Sequence, residues 1–198
     1  YGMTEIGMGI SNPYNGERRA GAVGQPLPGV QCQLFDENDN VVERESEPGE
    51  IRIKGDNVFL EYWENEEATK SSFKDGWFCT GDVAVVEQGY YRIMGRSSVD
   101  IIKSGGYKLS ALEIEGVLLT HDSISEVAVI GVEDDIWGEA VTAFVALKEG
   151  TALEFDSLKS WCEGRMSSYK IPKHLKLVDA LPRNAMGKVT KPSLKELL

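Results

Sequence analysis

Five polar side chains spread along the 198-residue chain, Thr4, Glu5, Asp82, Arg96 and Lys188, have the chemistry needed to handle a negatively charged nucleotide. Thr4 offers a hydroxyl to a phosphate, and Glu5 offers a carboxylate to Mg²⁺, a hard cation that prefers oxygen ligands. Asp82 ends the run Trp77-Phe78-Cys79-Thr80-Gly81-Asp82, where a carboxylate just after a glycine turn can accept two bonds from ribose hydroxyls. Arg96 presents a planar fork to phosphate or ribose oxygens. Lys188 follows Gly187 near the C-terminal end and can reach a site as a point charge on a loop. Taken singly, an exposed Arg or Lys reads as a solvated surface charge and a Thr-Glu pair as a surface turn, so the argument rests on their joint occurrence. A further feature is Gly105-Gly106 between Ser104 and Tyr107, where the backbone can approach a ligand or take φ > 0 without a Cβ penalty. The plainer reading of that glycine pair is the turn of a hairpin.

The elements that must position these residues fall into two kinds, with the seam at Arg96. Before it, a loop-rich start (Ser11-Asn12-Pro13-Tyr14-Asn15-Gly16, Gln25-Pro26-Leu27-Pro28-Gly29) leads into short alternating segments at residues 30–35, 50–55, 83–86 and 90–94. Several short strands at close spacing predict a small antiparallel sheet or barrel, with one short helix over residues 64–73 where Glu66, Glu67 and Lys70 have ion-pair spacing. After the seam the pattern mixes helix and strand. Ser110 and Glu113 form an S-x-x-E capping box ahead of an apolar face at Ala111, Ile114, Val117 and Leu118. The unbroken apolar run Val127–Val132 predicts a strand covered on both faces, and residues 140–147 predict another. Phe155, Leu158, Trp161, Cys162 and Met166 mark an amphipathic helix, residues 175–178 a strand, and Pro192 the start of a closing helix. Internal repeats and low-complexity tracts are absent.

Composition sets further bounds. A net charge of −11 and a pI near 4.7 argue against a nucleic-acid groove, which needs a basic footprint. No apolar run approaches the roughly 20 residues that span a bilayer. Cys32, Cys79 and Cys162 are far apart and lack metal-ligand spacing, so they read as free thiols in a reducing compartment, cytoplasmic or mitochondrial matrix. Only His121 and His174 are present, which disfavours a histidine metal site. Gly187-Lys188 lacks the upstream glycine of a P-loop, and Gly7-Met8-Gly9 lacks the third glycine of a dinucleotide fingerprint. The start at Tyr1-Gly2-Met3, without an initiator Met, reads as the middle or end of a longer protein.

Four segments carry a resemblance: YGMTE from Tyr1, WFCTGD ending at Asp82, GRSSVDIIKSGGYKLSALEIE from Gly95, and LPRNAMGK ending at Lys188. In these the chain resembles the adenylate-forming enzymes, the superfamily of acyl-CoA synthetases, peptide-synthetase adenylation domains and firefly luciferase. The resemblance covers essentially the whole chain but only the C-terminal third or so of a full enzyme, without the phosphate loop and most of the acyl pocket. It implies an α+β fold. Residues 1–96 would be the β-rich, barrel-like last part of a large N-terminal AMP-binding domain, and residues 97–198 a small mobile α+β C-terminal domain.

The resemblance also implies roles. Thr4 would contact the nucleotide phosphates, Glu5 would hold Mg²⁺, Asp82 would bind the ribose hydroxyls, and Arg96 would support the same nucleotide. Lys188 would bridge the carboxylate and the α-phosphate during adenylation, and Ser104, Gly105, Gly106 and Tyr107 would face CoA in the second half-reaction. Family members carry an Asp or Lys hinge two residues after the Arg. Here that place is Ser98 and the segment is one residue longer before Asp100, so Ser98, Val99 and Asp100 all stand as hinge positions. Within the superfamily, SNPYNGER from Ser11 and GAVGQPLPGV from Gly21 are similar to malonyl-CoA synthetases. The expectation is an ATP-dependent ligase joining malonate to CoA, with this piece alone inactive. The alternatives are a ligase for a medium-chain fatty or aryl acid, or a non-catalytic nucleotide-binding module.

Overall fold

The computed structural model describes all residues, Tyr1–Leu198, as two compact units, Tyr1–Ser97 and Ser98–Leu198. The first unit opens with a tight hairpin of β1 (Gly2–Met3) and β2 (Gly7–Met8), and then pairs β3 (Ile10–Ser11) with β4 (Gln25–Pro26). Its main sheet has five antiparallel strands: β5 (Gln31–Phe35), β6 (Gly49–Lys54), β7 (Phe73–Lys74), β8 (Trp77–Glu87) and β9 (Tyr90–Arg96). The order is β5-β6-β8-β7, with β9 also on β8, an open path in which no pairing closes a barrel. Alternating apolar residues put Leu34, Ile51, Ile53, Phe78 and Ala84 into one core, which Ile6 and Ile10 of the opening loops complete. The short helix α1 (Glu66–Ser71) begins later than the charge spacing predicts, because Asn65 takes the N-cap and accepts from the Ala68 N–H at 3.1 Å. Its Glu66–Lys70 pair forms at i,i+4.

The second unit contains β10 (Ile101–Ser104), β11 (Tyr107–Ser110), α2 (Ala111–Leu118), β12 (Ile124–Asp134), β13 (Gly138–Leu147), α3 (Phe155–Cys162), β14 (His174–Leu177) and α4 (Lys191–Leu194). The sheet order is β11-β10-β13-β12, with β14 parallel to β13. The central β12–β13 hairpin is apolar on both faces, as its unbroken run predicts. Val127 and Val129 pack under α2 and α3, while Ala128 and Ile130 meet Phe144, Leu181 and Leu194 on the other side. The predicted capping box is half formed. Ser110 Oγ accepts the Glu113 N–H at 3.1 Å, but the Glu113 carboxylate is paired with Lys170. Helix α3 ends at Cys162 rather than near Met166, and Met166 still packs on the same core. No helix is long and apolar enough to cross a membrane.

Candidate functional site

A break in β8 builds the site of the first unit. Strand β6 pairs Arg52 with Cys79 and Glu50 with Val83, so Thr80, Gly81 and Asp82 face Ile51 alone and the strand bulges. Gly81 takes φ 72°, a left-handed conformation that glycine adopts without a Cβ clash. The freed backbone groups find local partners. Thr80 Oγ1 donates to the Ile51 carbonyl at 2.8 Å and accepts the Asp82 N–H at 3.1 Å, and the Ser97 N–H donates to the Gly81 carbonyl at 2.9 Å. Beyond the bulge Asp82 lies directly across from Arg96 on β9.

That register places the Arg96 Nε 2.9 Å from Asp82 Oδ1, with the carboxylate largely buried and the guanidinium half exposed. The Tyr1 hydroxyl donates to Asp82 Oδ2 at 2.5 Å. Burial first, and then the bond to Asp82, push the Tyr1 phenol far above its ordinary range, so it stays a donor. An ionised carboxylate has about four lone-pair positions, so Asp82 retains acceptor capacity beyond these two bonds.

Thr4 and Glu5 sit in the turn of the β1–β2 hairpin, Thr4 exposed and Glu5 half-buried. The turn is held rigidly. The Ile6 N–H donates to the Met3 carbonyl at 3.1 Å, the Phe59 N–H to the Glu5 carbonyl at 2.7 Å, and the Asn57 amide to the Ile6 carbonyl at 2.8 Å. The Tyr62 hydroxyl donates to Glu5 Oε1 at 2.9 Å. Desolvation and this bond raise the Tyr62 phenol. Asp82 and Arg96 are thus paired, and the Tyr1 hydroxyl, 3.9 Å from Met3 Sδ, joins Asp82 to the strand that leads into the Thr4–Glu5 turn. Tyr1, Tyr62 and Thr80 are the supporting residues that sequence reasoning missed. Tyr1 belongs to a segment already singled out, whereas nothing local marks Tyr62.

In the second unit, Gly105 and Gly106 form the two-residue turn between β10 and β11, both left-handed at φ 58° and 82°. The pair is therefore a hairpin turn of the mirror-image type that suits twisted strands. It also adjoins Trp137: the Gly105 N–H donates to the Trp137 carbonyl at 2.9 Å, and a Cβ at Gly105 would lie in van der Waals contact, 3.4 Å from the Trp137 ring. Ser104 is buried, and the exposed Tyr107 stacks on Tyr169 with ring centres 4.7 Å apart. Lys188 is exposed on a loop closed by the Arg183–Val189 bridge. Asn184 shapes that loop by accepting the Met186 and Lys188 N–H groups at 3.0 Å each. Burial raises all three thiols, Cys32 to about 12, so none is poised as a nucleophile.

A single carboxylate that keeps its other oxygen for a cation suits Mg²⁺, which is commonly held by one or two carboxylates together with substrate phosphates and water. Glu5 meets that description, and no group of three or more His, Cys, Asp or Glu side chains forms a self-sufficient metal cage.

The family profile described as AMP-binding enzyme matches residues 1–63, and that described as AMP-binding enzyme C-terminal domain matches residues 113–188. The chain belongs to this family of adenylate-forming enzymes. Among individual proteins it is 50% identical to the mitochondrial malonate–CoA ligase of Mus musculus and 47% identical to the malonate–CoA ligase of Arabidopsis thaliana, over its whole length in both cases. It spans 37% and 34% of the lengths of these relatives. Among solved structures, ATP-bound MatB from Rhodopseudomonas palustris is 41% identical, with a TM-score of 0.85 over all of this chain and 39% of that one.

Proposed function

We propose that this chain is the C-terminal part of an ATP-dependent malonate–CoA ligase. The observation that carries the reading is the 47–50% identity along the whole chain to relatives named for that activity, and the Asp82–Arg96 pair and the Glu5 turn are consistent with it. In the first half-reaction a malonate carboxylate oxygen attacks the α-phosphorus of ATP, the bond to the β-phosphate oxygen breaks, and pyrophosphate leaves. In the second, the CoA sulfur attacks the acyl carbon of malonyl-adenylate, AMP leaves, and the thiol proton passes to solvent.

Each residue then has a task. Thr4 donates to the phosphates. Asp82 accepts from the ribose hydroxyls, held in place by Arg96 and Tyr1, and Arg96 adds positive charge beside the same nucleotide. Glu5 holds Mg²⁺, which neutralises phosphate charge when bound. Lys188 spans the attacking carboxylate and the α-phosphate, where a cation aimed at two approaching anions lowers the barrier. Ser104, Gly105, Gly106 and Tyr107 present a rigid turn to the pantetheine arm of CoA, and the second half-reaction must exclude water because the mixed anhydride hydrolyses. The assignment of residues 1–96 to the nucleotide-binding domain and 97–198 to the C-terminal domain belongs to the same proposal. So does a mitochondrial matrix location, supported by the name of the mouse relative and by thiols left unpaired.

The test is product formation by the full-length enzyme given ATP, CoA and, in parallel, malonate, methylmalonate, acetate, octanoate and coumarate, with thioesters identified by mass spectrometry. Malonyl-CoA as the main product is expected. A thioester of a monocarboxylic acid alone would keep the ligase class and discard malonate.

A further inference from the structure

The second unit has a buried set of charges that the nucleotide site does not use. Lys191 Nζ lies 2.5 Å from Asp100 Oδ1 and 2.8 Å from Glu115 Oε1, with side-chain exposures of 11%, 12% and 13%. Glu115 Oε1 also accepts the Val129 N–H at 2.7 Å. Burial raises the Glu115 carboxyl above its ordinary value, and the hydrogen bond from Lys191 opposes that rise.

The three residues come from three places. Asp100 lies just past the point where the second unit begins, Glu115 is on α2, and Lys191 is in the first turn of α4, three residues beyond Lys188. The Lys188 loop keeps its own shape through Asn184 and through the Thr190 N–H, which donates to the Pro182 carbonyl at 2.8 Å. Its first arm is tied to β12 by the Arg183–Glu126 pair, and its second arm is tied to the rest of the unit by Lys191. A cleft of about 250 Å³ lined by Ser98, Val99, Ile101, Pro192 and Lys195 adjoins Lys191, while Leu194 of α4 is fully buried against Ala128, Ile130 and Phe144. Beside that non-directional apolar contact with β12 and β13, the ammonium bonded to two carboxylates adds a directional tie from α4 to Asp100 and Glu115.

We propose that Lys191 is a positioning residue for adenylation: its bonds to Asp100 and Glu115 lock the base of the Lys188 loop to residues 98–100, so that Lys188 moves with the start of the second unit as one body. The inference rests on the role given to Lys188 above.

The test uses the full-length enzyme and separates the half-reactions, following malonate-dependent ATP–pyrophosphate exchange and, independently, thioester formation from supplied malonyl-adenylate and CoA. Wild type must exchange and Lys188→Ala must not. If that control fails, the functional reading fails irrespective of Lys191. Given the control, Lys191→Met is expected to lower the kcat of exchange about 10- to 100-fold, as misplacement of a catalytic group does, with thioester formation near wild type. Lys191→Arg keeps the charge, has the cleft to expand into, and is expected to retain most of the exchange. Glu115→Gln leaves the Lys191–Asp100 pair and an acceptor for Val129 in place, and is expected to lower exchange alone by a smaller factor, which carries the test should Lys191→Met not fold. Equal loss in both half-reactions, or unchanged exchange, overturns the proposal.

Discussion

At the scale of single residues, Asp82 is the most fully partnered carboxylate of the proposed nucleotide site. Its carboxylate is largely buried, pairs with Arg96 and accepts from Tyr1, so its direction is set before any ligand arrives. A hydrogen bond to a charged group contributes about 1.5–3 kcal/mol, so Asp82→Asn in the full-length enzyme is expected to weaken ATP binding about 10- to 100-fold by calorimetry. An unchanged affinity would remove Asp82 from the site. The tyrosines give a pH signature. Burial and hydrogen bonding keep the Tyr1 and Tyr91 phenols protonated well above their ordinary value of 10.0, while the same groups in the unfolded chain ionise near it. Above that pH the folded state binds more protons than the unfolded one, so stability falls as the pH climbs past 10 and these groups contribute no slope below it. Absorbance near 295 nm should show the Tyr1 and Tyr91 phenols ionising only with alkaline unfolding. Reversible ionisation of these two phenols in the folded protein near pH 10 would contradict the described burial.

At the scale of elements, the glycine turn is the sharpest case. Both residues are left-handed, a conformation that costs an L-residue about 1–2 kcal/mol, and Gly105 also faces the Trp137 ring. Gly105→Ala and Gly106→Ala are therefore each expected to lower the melting temperature of the second unit by about 4–8 °C per kcal/mol lost. Equal melting of both variants and wild type, read by calorimetry, would count against the turn. Ser110→Ala removes the one cap bond that α2 makes at Glu113 and should cost about 1 kcal/mol.

The same elements show what local pattern can carry. The alternation read at residues 30–35 and 50–55, which form Gln31–Phe35 and Gly49–Lys54, and the two-faced run of β12 were legible, because each segment's own residues decide which face is buried. The bulge at Thr80–Asp82 was not legible, since it exists only against the register of β6, some thirty residues upstream. The second half of the capping box was lost for a similar reason: Lys170, far along the chain, competes for Glu113 and wins. Asp82, Arg96, Glu5 and Lys188 could be singled out by chemical type, whereas Tyr62 reaches Glu5 only through the folded path of residues 57–62.

At the scale of the whole molecule, each unit owns its core. Ile102, Leu109, Ile114, Val129, Val141 and Leu158 form one cluster and Ile130, Phe144, Leu181 and Leu194 another, all within Ser98–Leu198. Residues 98–198 expressed alone are therefore expected to unfold cooperatively on heating, with coincident transitions by circular dichroism and tryptophan fluorescence. A chain lacking such a transition would show that this unit needs the rest of the protein. The same partition puts Thr4, Glu5, Asp82 and Arg96 on the first unit and Lys188 and the glycine turn on the second.

The central claim is that these residues serve malonate adenylation, and the most direct measurement is incorporation of labelled pyrophosphate into ATP by the full-length enzyme with malonate, compared with the Lys188→Ala variant. The account predicts strong malonate-dependent exchange in the wild type and a loss of about 100-fold or more in the variant, the size expected when a charge aimed at the transition state is removed. Exchange that ignores malonate, or that survives intact without Lys188, would contradict it.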